Sequence, residues 1–156
     1  MRFLVAHPAH FIALGLGSGL VPFAPGTWGT LFGWLTFVLL DHWLSGSAWI
    51  ALLCAGFVVG IWACAKTGRD LGVPDHGAMV WDEMIAIWGV LLVAPSGWGW
   101  QCAGFVLFRF FDIVKPPPIR TVDRRFKGGF GVMADDLVAA FFALLAMALA
   151  KRLFSL

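Results

Sequence analysis

Apolar and charged positions fall in blocks along this chain. Stretches without a formal charge cover 3–40, 42–65, 84–108 and 137–150, while 66–83 and 109–136 hold sixteen of the twenty charged residues. A membrane-spanning helix needs about 20 apolar residues. Segments 28–44 and 47–65 reach that length and are joined by the short turn Ser45-Gly46-Ser47. Segment 84–108 is broken by Ala94-Pro95-Ser96-Gly97, which predicts a hairpin of two helices rather than one straight span. Segment 137–150 becomes long enough if its helix starts near Val132 and runs into Lys151. The hairpin returns both charged stretches to one face. Trp43 and Trp49 beside the first turn, with Trp98 and Trp100 beside the second, suit interfacial anchors on the opposite face.

Residues 1–27 are interrupted by Gly15, Gly17, Gly19, Pro22, Pro25 and Gly26, which predicts a short or re-entrant helix leading into Thr27. Met1-Arg2 and the apolar residues after it imitate a signal peptide, but His7, Pro8 and His10 interrupt the run, so no cleavage is expected. No repeat or linker divides the chain, which reads as one domain, 1–156. The expected fold is all-α, a small polytopic membrane bundle of about five membrane helices plus a short N-terminal helix.

Composition agrees. The chain is 60% apolar and only 13% charged, against about 25% charged in a soluble domain, and at this size a soluble fold still needs a polar shell. An ordinary soluble enzyme and a disordered tail are excluded. A net charge of +2 makes no phosphate-tracking surface, so nucleic acid is not an expected partner. The two charged stretches carry eight Lys/Arg against Lys151 and Arg152 at the other end, which makes the charged face cytoplasmic. Cys54, Cys64 and Cys102 lie in apolar segments without a C-x-x-C spacing and read as packing residues.

The candidate chemistry is carboxylate chemistry. Asp82-Glu83 precedes one apolar helix and Asp135-Asp136 opens another. A single acidic residue at a helix N-terminus is explained by the helix dipole. Two adjacent ones repel each other unless a cation sits nearby, and clustered carboxylate oxygens suit Mg²⁺. Gly128-Gly129-Phe130-Gly131 before the second pair has the composition of a phosphate-cradling loop, with a plain tight turn as its simpler reading. Thr27 suits the N-cap of a helix from Trp28, where its hydroxyl would equally meet a phosphate. Arg109, Asp112 and Lys115 are three residues apart and share a helical face that ends at Pro116-Pro117-Pro118. Lys115 is a natural phosphate partner, and Arg109 either binds phosphate or belongs to an interfacial ion-pair ladder. His76 reads as a solvated loop histidine rather than a proton shuttle, and His7, His10 and His42 have no partners at ligand spacing.

Other phosphate chemistries fail on spacing. Cys102 and Arg109 have six residues between them, one too many for a cysteine phosphatase loop, and no D-x-D, P-loop or G-x-S-x-G occurs. What remains is metal, carboxylates and basic residues at a membrane surface, which suits hydrolysis of a lipid phosphomonoester. A small cation-coupled transporter using the same acidic pairs is the alternative.

Taken together, Pro25-Gly26-Thr27, Lys66-Thr67-Gly68 through Asp82-Glu83, Phe108-Arg109-Phe110-Phe111-Asp112 with Lys115-Pro116, and Gly128-Gly129-Phe130-Gly131-Val132-Met133 with Asp135-Asp136 resemble the phosphatidylglycerophosphatase A family. The resemblance implies a small helical enzyme of the bacterial inner membrane that uses Mg²⁺. It implies removal of the terminal phosphate of phosphatidylglycerophosphate to give phosphatidylglycerol. It also implies that Asp82, Glu83, Asp135 and Asp136 are metal or catalytic residues, with Asp112 supporting. Ala86 and Ala140 depart from the glycine usual after each acidic pair, and Pro117 from a common tryptophan. On this reading Thr27, Arg109, Lys115 and Gly129 face the phosphate, and water attacks phosphorus in line. A covalent aspartyl-phosphate is the other route.

Overall fold

The computed structural model describes residues 2–153. Regular structure among them is entirely helical. Two short helices, α1 (Arg2–Ala6) and α2 (Pro8–Ala13), lead through a 3₁₀ segment at Gly15–Leu20 into α3 (Pro25–Leu40), α4 (Gly46–Leu71), α5 (Trp81–Val93), α6 (Trp98–Val114), α7 (Ile119–Arg125) and α8 (Gly128–Leu153).

The boundaries have local causes. The Ser45 side chain accepts from the Ala48 N–H at the start of α4. At its end Gly72 takes φ 70°, and the Gly72 and Val73 N–H groups return to Arg69 and Gly68 carbonyls, an end that requires a residue at ease in the left-handed region. Helix α3 starts earlier than the sequence suggests. Pro25 occupies its first turn after Ala24 at φ 48°, so Thr27 lies inside the turn and is not the N-cap, because a proline needs no N–H there.

Helix α5 is the core. Its residues from Asp82 to Trp88, with Val90 and Leu91, are buried against α3, α4, α6 and α8. Such enclosure needs close neighbours. A methyl group added at Gly33 on α3 would stand 2.7 Å from Ile87 Cγ2 and 3.1 Å from Met84 Cα, so glycine sets the α3–α5 distance. The outside is apolar instead: Leu35, Trp43, Ile50, Val58, Val106, Phe141 and Leu149 are all more than half exposed, a surface suited to lipid.

The hairpin is present, with its break at residues 94–97 and Glu83 and Arg109 brought to the same end. The sequence predicts about five membrane helices, and the structure supports two of them by length and composition. Among the described residues only α4 and α8 are both long and apolar enough to cross a bilayer. Helices α3, α5 and α6 have 16, 13 and 17 residues, or about 20–25 Å at 1.5 Å per residue. Trp43 and Trp98 are exposed and Trp100 is half-buried. Trp49 is corrected: it is 1% exposed, stacks on Phe37 and donates to Asp41 Oδ1 at 2.9 Å. Its indole filled an interior gap with a ready acceptor. His10 also has a partner that spacing did not show, Asp70 Oδ2 at 2.6 Å, with Lys66 on the same carboxylate.

The α3–α5 contact predicts a steric penalty. Gly33→Val will destabilise the protein by about 1–3 kcal/mol, the usual cost of overpacking, and will lower the thermal unfolding midpoint in detergent.

Candidate active site

Four helices meet at one end of the bundle and each supplies part of a polar centre. Asp82 and Glu83 stand in the first turn of α5, where helix dipole and negative charge agree. Asp135 and Asp136 do not. Helix α8 begins at Gly128, so they lie in its third turn and not at its opening. The expected glycine loop is absorbed into this helix. Gly129 packs on α4, where a methyl group would collide with the Ile61 carbonyl and stand 2.7 Å from Ala65 N. Gly129 therefore serves helix packing, which corrects its reading as part of a phosphate-cradling loop.

Successive helical residues project about 100° apart, and this separates the second acidic pair. Asp136 turns towards α5, where Asp82, Glu83 and Asp136 each offer an oxygen within 4.8 Å of the others. Asp135 turns the other way and accepts a hydrogen bond from Lys115 Nζ. Lys115 ends α6 at φ 44°, leaves the face shared by Arg109 and Asp112, and also reaches Asp123 Oδ1 at 3.4 Å. Partial burial works against the Lys115 charge, but the bond and charge of Asp135, with Asp123 and Asp136 near, outweigh it and hold the ammonium above the ordinary lysine range.

Arg109 projects from α6 into the same centre. Its Nη1 donates to Asp112 Oδ2 at 2.5 Å and to Thr30 Oγ1 at 3.4 Å, and lies 3.5 Å from Glu83 Oε1. Thr30, on α3, has no exposed surface and was missed by sequence reasoning; its place one turn beyond Gly26 was the available signal. Thr27 is half-buried on the same helix turn, without a side-chain hydrogen bond among the described residues. His76 lies in the exposed loop before α5, its Nδ1 accepting from Ala78 N–H.

The centre contains Asp82, Glu83, Asp112, Asp135 and Asp136 against Arg109 and Lys115. Buried oxygens without a hydrogen-bond partner remain on four of the five carboxylates: Asp82 Oδ1, Glu83 Oε2, Asp135 Oδ1 and Asp136 Oδ2. Buried acceptors without donors are costly. An all-oxygen set with surplus negative charge fits a hard divalent cation.

Carboxylates and basic groups gathered at one end of an apolar helical bundle suit phosphate chemistry, and the comparisons with known proteins give the class, a lipid phosphatase. The family model for phosphatidylglycerophosphatase A matches residues 11–151. Phosphatidylglycerophosphatase A of Haemophilus influenzae is 45% identical over 145 residues, 92% of this chain and 89% of that protein. The Escherichia coli protein of that name is 43% identical over 139 residues, 88% and 80% of the two chains. A Bacteroides thetaiotaomicron protein whose provisional name is phosphatidylinositol-3-phosphatase is 40% identical over 147 residues, 90% and 91% of the two chains. No solved structure matches the chain. The chain belongs to the phosphatidylglycerophosphatase A family and is a lipid phosphatase.

The Lys115–Asp135 pair yields a stability prediction. Lys115→Met strands a buried carboxylate and will cost about 3 kcal/mol. The double variant Lys115→Met/Asp135→Asn will recover most of that loss in thermal unfolding.

Proposed function

We propose that this chain hydrolyses the terminal phosphomonoester of phosphatidylglycerophosphate, giving phosphatidylglycerol and inorganic phosphate in phospholipid biosynthesis, with Mg²⁺ as cofactor. The observation that carries the reading is the convergence of Asp82, Glu83 and Asp136, each with an unpartnered buried oxygen, beside Arg109 in a chain of this family. The matched relatives are phosphatases by name, so the transporter alternative gains no support from them.

Asp82, Glu83 and Asp136 would hold the cation, which when bound supplies charge neutralisation for the phosphate and activation of water. Asp135 has a separate role. Lys115 occupies its Oδ2 and leaves Oδ1 open, so Oδ1 accepts the proton of the attacking water. Arg109 uses Nη1 for protein contacts and has no Nη2 partner among the described residues. That free N–H edge takes a phosphate oxygen. Asp112 fixes the guanidinium from the other side. The acyl chains remain in the bilayer against the apolar flanks of the short helices. The enzyme is a multi-pass protein of the bacterial inner membrane with its carboxylate end facing the cytoplasm, a placement supported by the apolar exterior and the basic residues around that end.

In detergent micelles, phosphatidylglycerophosphate will release phosphate with Mg²⁺ and not with EDTA. Asp82→Asn and Asp136→Asn will each reduce release by about 100-fold or more while remaining folded. Release that persists in EDTA would remove the metal from the reading; no release from folded wild type would remove the substrate. A substrate made chiral at phosphorus with sulfur and oxygen isotopes will be hydrolysed with inversion, as a single in-line attack by water requires. Retention would establish the covalent route instead.

A further inference from the structure

Thr30 is fully buried, yet its hydroxyl spans two helices. Its Oγ1 donates to the Gly26 carbonyl at 2.8 Å and accepts from Arg109 Nη1 at 3.4 Å. A hydroxyl has one hydrogen. Giving it to Gly26 leaves only lone pairs for the guanidinium, so the oxygen is fixed as an acceptor. Nη1 thus donates to Thr30 from α3 and to Asp112 from α6, with the Glu83 carboxylate from α5 beside it at 3.5 Å. Gly26 permits this approach. A methyl group there would overlap Glu83 Oε1 and come within 3.0 Å of Arg109 Nη2.

We infer that Thr30 is a positioning residue for phosphate recognition, anchoring Arg109 Nη1 so that Nη2 stays free for an oxygen of the substrate phosphomonoester. The inference rests on the phosphatase reading above. Without the Thr30 acceptor, the nearest remaining pull on Nη1 besides Asp112 is the Glu83 carboxylate. A guanidinium drawn to Glu83 Oε1 turns its Nη2 away from the phosphate.

The test compares Thr30→Val, which keeps the shape and removes the hydroxyl, with Thr30→Ser, which keeps the hydroxyl. The Gly26 carbonyl retains its helical N–H partner in both, so unfolding midpoints should stay with wild type. Thr30→Val should raise KM for the lipid about tenfold with a smaller change in kcat, as expected for one lost hydrogen bond to a charged group. Thr30→Ser should return to within about threefold of wild type. In an Arg109→Ala background, Thr30→Val should change nothing further, because the two residues act as one unit. Binding of inorganic phosphate with Mg²⁺, followed by calorimetry, should weaken about tenfold in Thr30→Val. Unchanged KM and phosphate affinity in Thr30→Val, failure of serine to rescue, or an undiminished effect without Arg109 would each overturn the inference. Wild type that binds phosphate but does not hydrolyse the lipid would overturn the proposed substrate alone, and a weakened phosphate affinity in Thr30→Val would still support the positioning role.

Discussion

Negative charge held inside an apolar bundle is the constraint on which the rest of this structure depends. Burying a carboxylate is expensive unless it is paired or holds a cation. Five are gathered here, and Arg109 and Lys115 answer only part of the charge. Arg109 takes Asp112 and leans on Glu83; Lys115 takes Asp135. The remaining oxygens on Asp82, Glu83 and Asp136 point at one another across less than 5 Å. A bundle that kept such a cluster without use would be stabilised by replacing it with apolar residues. The cluster is therefore best understood as the reason for the fold's end-to-end asymmetry, with charge at one end and tryptophan-rich turns at the other.

The helices are arranged to make that cluster possible. Helix α5 is short and enclosed, so its N-terminal carboxylates lie inside the bundle rather than on a rim. Glycines on α3 and α8 let neighbouring backbones close on α5 and α4. Lys115 in the left-handed region lets α6 end sharply, and the ammonium then reaches across to α8.

Adjacent acidic residues on one helix meet different neighbours. Asp136 joins Asp82 and Glu83, whereas Asp135 is tied to a lysine and keeps a single open oxygen. The same arithmetic of helical rotation explains Arg109 and Asp112, three residues apart and paired on one face, while Lys115 escapes that face because the helix has already ended.

The sequence by itself determined the helical class, the hairpin at Ala94-Pro95-Ser96-Gly97, the gathering of charge at one end and the identity of the acidic pairs. These follow from local facts: proline and glycine break helices, and charge avoids apolar spans. Tertiary structure decided the rest. It made Gly129 a packing contact, placed Thr27 inside a helix that begins at Pro25, buried Trp49, paired His10 with Asp70, and brought Thr30 to Arg109 across 79 positions. Pro25 is a local signal for Thr27 and Gly26, one turn earlier, for Thr30, but the contacts between helices are set by which helix faces are pressed together. Periodicity gives the faces, and only packing gives their partners.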